Sequence, residues 1–303
     1  MNNFDHWMTI GLIALAIVVT VPLARRVIGL PNTTTTRFVG GAAVASLVVG
    51  PGPLAAALTI PWLTLAAIDL WRGALILGRG PTLDGVGNLL VLGWLTNAAA
   101  WLFAHRLGLE PLGFDRVTTL LTVAHFHHAG LGITALLVGA RRHRRHDRRL
   151  NGAIVLHQVG MVTVAAGITL RSALDITAGA AGRLEPLGAI AIIGALTIWT
   201  MTAFLLARTT DRRARRLVQI SGIAWVVPML LALGWAAGPL LAQPVVTTFR
   251  VMLTFHASIH AVGLVICGLV AITLLPNPPM TRPNHPTDTP TGARHARNPS
   301  THT

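Results

Sequence analysis

The chain has no lysine, no tyrosine and one cysteine, and only 11% of its 303 residues are charged. Each shortage excludes something. The lone Cys267 cannot form an intrachain disulfide, and it rules out thiolate metal clusters and iron–sulfur centres held by a single chain. Set within an apolar stretch, it reads as a small buried residue. A soluble domain carries about 25% charged residues. A chain with 52% hydrophobic residues and a mean hydropathy of +0.62 cannot cover so much apolar sequence with a water-facing surface. The bilayer must act as solvent for most of it, which makes the fold class an all-α polytopic transmembrane bundle.

What charge there is comes from arginine, and the formal net charge is +14. Its placement argues against a nucleic-acid partner. The arginines stand in short runs between apolar segments, as in RRHRRHDRR at 141–149 and RTTDRRARR at 208–216. That is the pattern of cytoplasmic loops beside a lipid bilayer, where contact with anionic headgroups is a secondary effect. The start, MNNFDH, has no basic leading region, and no small-residue cleavage site follows it, so the first apolar run reads as an uncleaved anchor.

A helix crossing the hydrocarbon core needs about 20 residues. Apolar runs of that kind fall near 8–27, 37–50, 54–78, 86–104, 116–140, 150–170, 186–207, 217–238 and 250–275, with Pro51-Gly52-Pro53 splitting the run from 37 to 78. Nine spans are therefore expected, or eight with a re-entrant hairpin where 37–50 is short. With nine crossings and the N-terminus outside the plasma membrane, the inner segments hold 18 arginines and the C-terminus is cytoplasmic. Residues 1–275 form the membrane domain, and the proline- and threonine-rich segment 276–303 is expected to be disordered. The tryptophans are expected mostly at span ends, as an interfacial belt. Asp84 is expected to cap a helix, and Pro228 to kink the eighth span.

Ionisable residues inside a membrane span are costly and usually have a task. Here they are histidines: His125, His127 and His128 in LTVAHFHHAG, His157 in the next span, and His256 and His260 in LTFHASIHAVG. His125 and His128 share a helical face, and so do His256 and His260, whereas His127 points elsewhere. By helical rise, His125 and His128 lie roughly 14–18 Å below the outer boundary, and His256 and His260 roughly 9–15 Å. Asp69 lies deeper, with Arg72 three residues on as its expected partner. Three readings of the histidines are open: hydrogen bonds between helices, acid–base chemistry on a lipophilic substrate, or ligation of haem or a divalent metal by His125, His128, His256 and His260. A zinc-protease helix is excluded, because Ala257 stands where that motif needs its glutamate.

The stretch RLGLEPLGFDRVTTLLTVAHFHHAGLG, residues 106–132, resembles the YndJ-like membrane proteins, which carry a similar LTAVHFHYAGF segment after a PLGF turn. RVMLTFHASIHAVG, residues 250–263, resembles their RMHGxxNAxGF segment. The resemblance carries His125 and His127 onto the first motif and His256 onto the second. The chain departs from it with His128 for tyrosine, Ala257 for glycine and His260 for asparagine. The family supports the site without supplying a reaction. The expectation is a membrane-embedded enzyme performing acid–base isomerisation or cyclisation of a lipophilic small molecule. Its pocket would be lined by His125, His128, His256 and His260, with His157 and Asp69 as proton partners. A haem or metal redox protein and a proton-coupled transporter are the alternatives. The oligomeric state is not legible.

Overall fold

The computed structural model describes residues 3–174, 180–241 and 248–276, and among them there is no strand. Eight helices are long and apolar enough to cross a membrane: α1 (Asn3–Val27), α3 (Pro53–Arg79), α4 (Leu83–Leu107), α5 (Arg116–His143), α6 (Arg148–Arg171), α7 (Gly182–Ala207), α8 (Arg212–Gly238) and α9 (Met252–Leu274). Between α1 and α3 lies a short helix, α2 (Thr34–Ser46), capped by the Thr33 hydroxyl on the Thr36 N–H at 3.1 Å.

The run expected at 37–50 forms the short α2, which is not among these eight, so among the described residues the full-length spans number eight and the ninth run is short. Its 13 residues reach about 20 Å against a hydrocarbon core of about 30 Å. It ends where the Arg106 guanidinium binds the Val49 carbonyl, and the Gly52 N–H returns a bond to the Arg106 carbonyl at 2.7 Å. The helix therefore runs from the end of the bundle where α1 finishes to the end where α4 finishes. Residues 277–303, most of the segment expected to be disordered, lie outside the described residues.

The two ends of the bundle differ in charge. Arg141 pairs with Asp84, Arg142 reaches the Val27 carbonyl and the Asn88 side chain, and Arg25 pairs with Asp69 and reaches the Pro31 carbonyl. Asp84 is thus an ion-pair partner; the cap of α4 is Thr82, whose hydroxyl accepts from the Gly85 N–H at 3.0 Å. Arg72 is exposed and does not serve Asp69. At the other end Asp115 caps α5, accepting from the Thr118 N–H at 2.7 Å.

Helix α5 is the central element, with 83% of its most apolar stretch buried against 50% or less in the other spans. Small residues let its neighbours come close: a Cβ on Gly132 would meet Val265 at 2.5 Å, and one on Gly130 would meet Trp94 at 2.7 Å. Helices α6 and α7 touch backbone to backbone, so a Cβ on Gly188 would lie 2.7 Å from the Gly160 carbonyl oxygen. Tryptophans are not confined to the rims: Trp62 and Trp199 are fully buried, and the Trp199 indole N–H reaches Ser221.

Candidate functional site

Three helices widen locally into π-type turns, at Ala16–Thr20 in α1, at Phe126–Ile133 in α5, and at Met252–Ala257 and Ile259–Ile266 in α9. These segments pack against one another. Such turns recur at functional sites because they shift the facing of every later side chain. Here they fall on or beside the histidine motifs.

A cavity of about 700 Å³ opens beside them, walled mainly by α5, α6, α7, α8 and α9. It runs from Leu112, which is exposed in the 108–115 loop, to Ile133 and His260. From Met161 to Arg171 along α6 it extends about 15 Å. Most of the lining is apolar, including Trp101, Phe114, Phe126, Met229 and Trp235. The rim turn Pro111-Leu112-Gly113-Phe114 holds Leu112 at φ 58°, a left-handed conformation that costs a non-glycine residue about 1–2 kcal/mol.

The ionisable side chains lining the cavity are His125, His128, His256, His260, Arg171 and Glu185. Arg171 and Glu185 form a 3.1 Å ion pair at the end away from the arginine clusters. Both fall just outside the expected spans 150–170 and 186–207, and the structure makes them part of the wall.

Hydrogen bonds assign roles to the rings. A carbonyl oxygen only accepts, so the His256 Nδ1 must carry the proton it donates to the Pro228 carbonyl at 2.7 Å. That leaves the His256 Nε2 lone pair unclaimed. The kink expected in α8 is a turn at 224–225 between Arg212–Ile223 and Val226–Leu241, just ahead of Pro228. His128 is engaged at both nitrogens: Nε2 donates to the Leu12 carbonyl at 3.0 Å, and Nδ1 faces the Thr20 hydroxyl at 3.3 Å. It ties α5 to α1. His125 takes no hydrogen bond among the described residues. His260 lies among His256, His125, His128 and His157, its ring centroid is 5.5 Å from that of His256, and its buried Nε2 has no partner.

His157 and His127 do not line the cavity. His127 donates from Nδ1 to the Val123 carbonyl at 2.8 Å, which agrees with its separate helical face. His157 belongs to a network that sequence reading missed. The Trp94 indole is a donor only, so its 2.7 Å bond fixes the Gln158 oxygen as acceptor. The Gln158 amide nitrogen then donates to Thr134 and to His157 Nδ1, both at 3.0 Å. The His157 proton therefore sits on Nε2, on the side of the Ala129 carbonyl. A glutamine next to an intramembrane histidine was the available signal. Asp69 is likewise outside the cavity, with its carboxylate taken by Arg25, so the arrangement gives it a structural partner in place of a proton to move.

Among the described residues, no group of three histidine, cysteine or acidic side chains stands close enough to hold a metal ion. Outside the spans, the Asp115 carboxyl is held below the usual carboxylate range by the Thr118 backbone N–H and hydroxyl.

No curated protein and no solved structure matches the chain. A family model described as YndJ-like protein matches residues 11–264, which contain every histidine of the cavity, and the chain belongs to that family.

Proposed function

We propose that this protein is a membrane-embedded enzyme that relocates a proton on a lipophilic small molecule, by isomerisation or cyclisation. The observation that carries the reading is His256, whose Nε2 lone pair is left free by the Pro228 carbonyl inside an apolar cavity that His125 also lines. Neutral imidazole suits both halves of such a step, since one ring nitrogen accepts a proton while another donates. His256 Nε2 takes a proton from a carbon that is allylic or next to a carbonyl. His125 returns a proton at another carbon, and the double bond moves or a ring closes between them. The proton held on His256 then passes back to His125, directly or through solvent, which restores both neutral rings, so electrons and protons balance without a redox partner. His260 lines the cavity beside His256, and His128 fixes the floor to α1. The volume falls within the range of small-molecule pockets, and the aliphatic and aromatic walls favour a lipid-soluble substrate.

In the same reading the arginine-rich end faces the cytoplasm of a cell with the protein in its plasma membrane, so the N-terminus and the cavity rim face outward. The test is solvent exchange. Purified protein in nanodiscs is incubated with a lipid extract of its host cells in deuterium oxide, and the lipids are analysed by mass spectrometry. Wild-type protein should place deuterium in one lipophilic species, and His256→Gln should not. Equal incorporation by wild type, His125→Gln and His256→Gln would remove the enzymatic reading. A Soret band or stoichiometric metal in the purified protein would replace it with a redox function.

A further inference from the structure

A second, shallower cavity of about 440 Å³ lies between α3, α4 and α6, and none of its lining residues belongs to the histidine cavity. Its wall includes Leu90, Gly93, Trp94, Asn97 and Gln158. Space is open beside Gly93, where an added Cβ would meet nothing within 4 Å. Trp94 and Gln158 satisfy each other at 2.7 Å. Asn97 does not share in this: it is half-buried, it faces the groove, and it takes no hydrogen bond among the described residues.

Depth makes that carboxamide informative. Asn97 stands ten residues before the end of α4 and fourteen after its start, about 15 Å and 21 Å from the two ends. A polar group there is surrounded by hydrocarbon, and leaving it without a partner is costly. Phospholipid esters and bulk water stay near the interfaces. Whatever satisfies Asn97 must bring a polar atom to the bilayer middle. The groove has no charged side chain in its wall, so a charged ligand would enter without a counter-charge. A second copy of the chain fits poorly, because a two-fold axis would set one concave groove against another.

We propose that this groove binds a neutral, lipid-soluble molecule carrying a hydroxyl or carbonyl group, with Asn97 as its hydrogen-bonding partner at the middle of the membrane. The site does not depend on the chemistry of the histidine cavity.

The full chain in phosphatidylcholine nanodiscs is photolabelled with diazirine-bearing hexadecanol, and in parallel with diazirine-bearing hexadecane. The alcohol should label the 83–107 peptide, and unlabelled hexadecanol should compete. Asn97→Leu should lower that labelling about fivefold, whereas Asn97→Gln retains it. Labelling within 116–143, on the histidine cavity, should be the same in all three proteins. Asn97→Leu exchanges one groove-lining side chain, and size-exclusion chromatography confirms that it folds. Equal labelling by the hydrocarbon, or unchanged labelling in Asn97→Leu, would reduce the groove to a crevice for acyl chains and overturn the proposal. A Gly93→Cys variant in a Cys267→Ala background should not crosslink to itself. Efficient crosslinking between two copies would assign the face to a protein interface and overturn it as well.

Discussion

The arginine-rich end of the bundle and the floor of the histidine cavity both place polar groups inside the membrane, yet they treat them in opposite ways. At the arginine-rich end the charges go to partners: Arg25 to Asp69, Arg141 to Asp84, and Arg142 to Asn88 and a backbone carbonyl. In the cavity, His125 has no partner among the described residues, His260 has a buried nitrogen without one, and His256 has one nitrogen fixed and the other unclaimed. Satisfied polar groups hold a fold together, whereas unsatisfied ones within a cavity await a ligand. The comparison predicts that substitutions at the first region damage the fold and those at the second damage function.

The largest effect is expected at Asp69. Its side chain is 7% exposed and that of Arg25 is 5% exposed. Asp69→Ala strands a buried guanidinium, which should cost about 3–5 kcal/mol and lower the thermal midpoint in detergent sharply. The double variant Arg25→Met with Asp69→Leu should recover most of that loss, because neither charge is then buried alone. Failure of the double variant to recover would mean that Arg25 holds the fold through the Pro31 carbonyl instead. His128→Ala should come next, at about 1–2 kcal/mol, since both its bonds to α1 are lost. Thermal unfolding of the purified variant measures it.

Much of this contrast was beyond the sequence, for physical reasons. The spans were legible from apolar length, and the pairing of His125 with His128 and of His256 with His260 from helical phase. Asp69 was misread because its partner lies 44 residues upstream on α1, while Arg72 sat close by on the same helix. The run 37–50 was apolar enough for a span but too short, and only the Arg106 contacts reveal where it stops. His157 could be placed at mid-membrane, but its facing depends on Gln158 and Trp94, which come from two different helices. Arg171 and Glu185 fall outside the apolar runs, one just after 150–170 and the other just before 186–207; their mutual contact draws both into the cavity wall. The π-type turns left no periodic signal of their own.

A smaller effect is expected at the cap of α5, on the rim side of the cavity. Asp115→Ala removes the acceptor for the Thr118 N–H and should cost about 1 kcal/mol. The carboxyl is depressed in the folded state by that bond, so its stabilising contribution is full above the ordinary carboxylate value of about 3.9 and is lost as pH falls through the lowered value. The gap between wild type and Asp115→Ala should therefore be constant near neutrality and shrink in acid. A gap that widened in acid would show that the carboxylate is not what the cap supplies.

The smallest effect on stability is expected at His125, and it separates the two regions most sharply. The ring lines the cavity and takes no hydrogen bond among the described residues, so His125→Gln has no interhelical bond to break. Measured bonds of that kind average only about 0.6 kcal/mol in any case. Glutamine keeps a polar side chain but has no group that titrates near neutrality to act as acid or base. The thermal midpoint should stay close to that of wild type, while deuterium incorporation from solvent disappears. His127→Gln is the control for the opposite outcome. That residue is fully buried, donates to the Val123 carbonyl at 2.8 Å and does not face the cavity. It should lose stability and keep its turnover per folded molecule. If His125→Gln instead unfolds the protein while His127→Gln abolishes exchange, the division between structural and chemical histidines has been drawn on the wrong faces of α5.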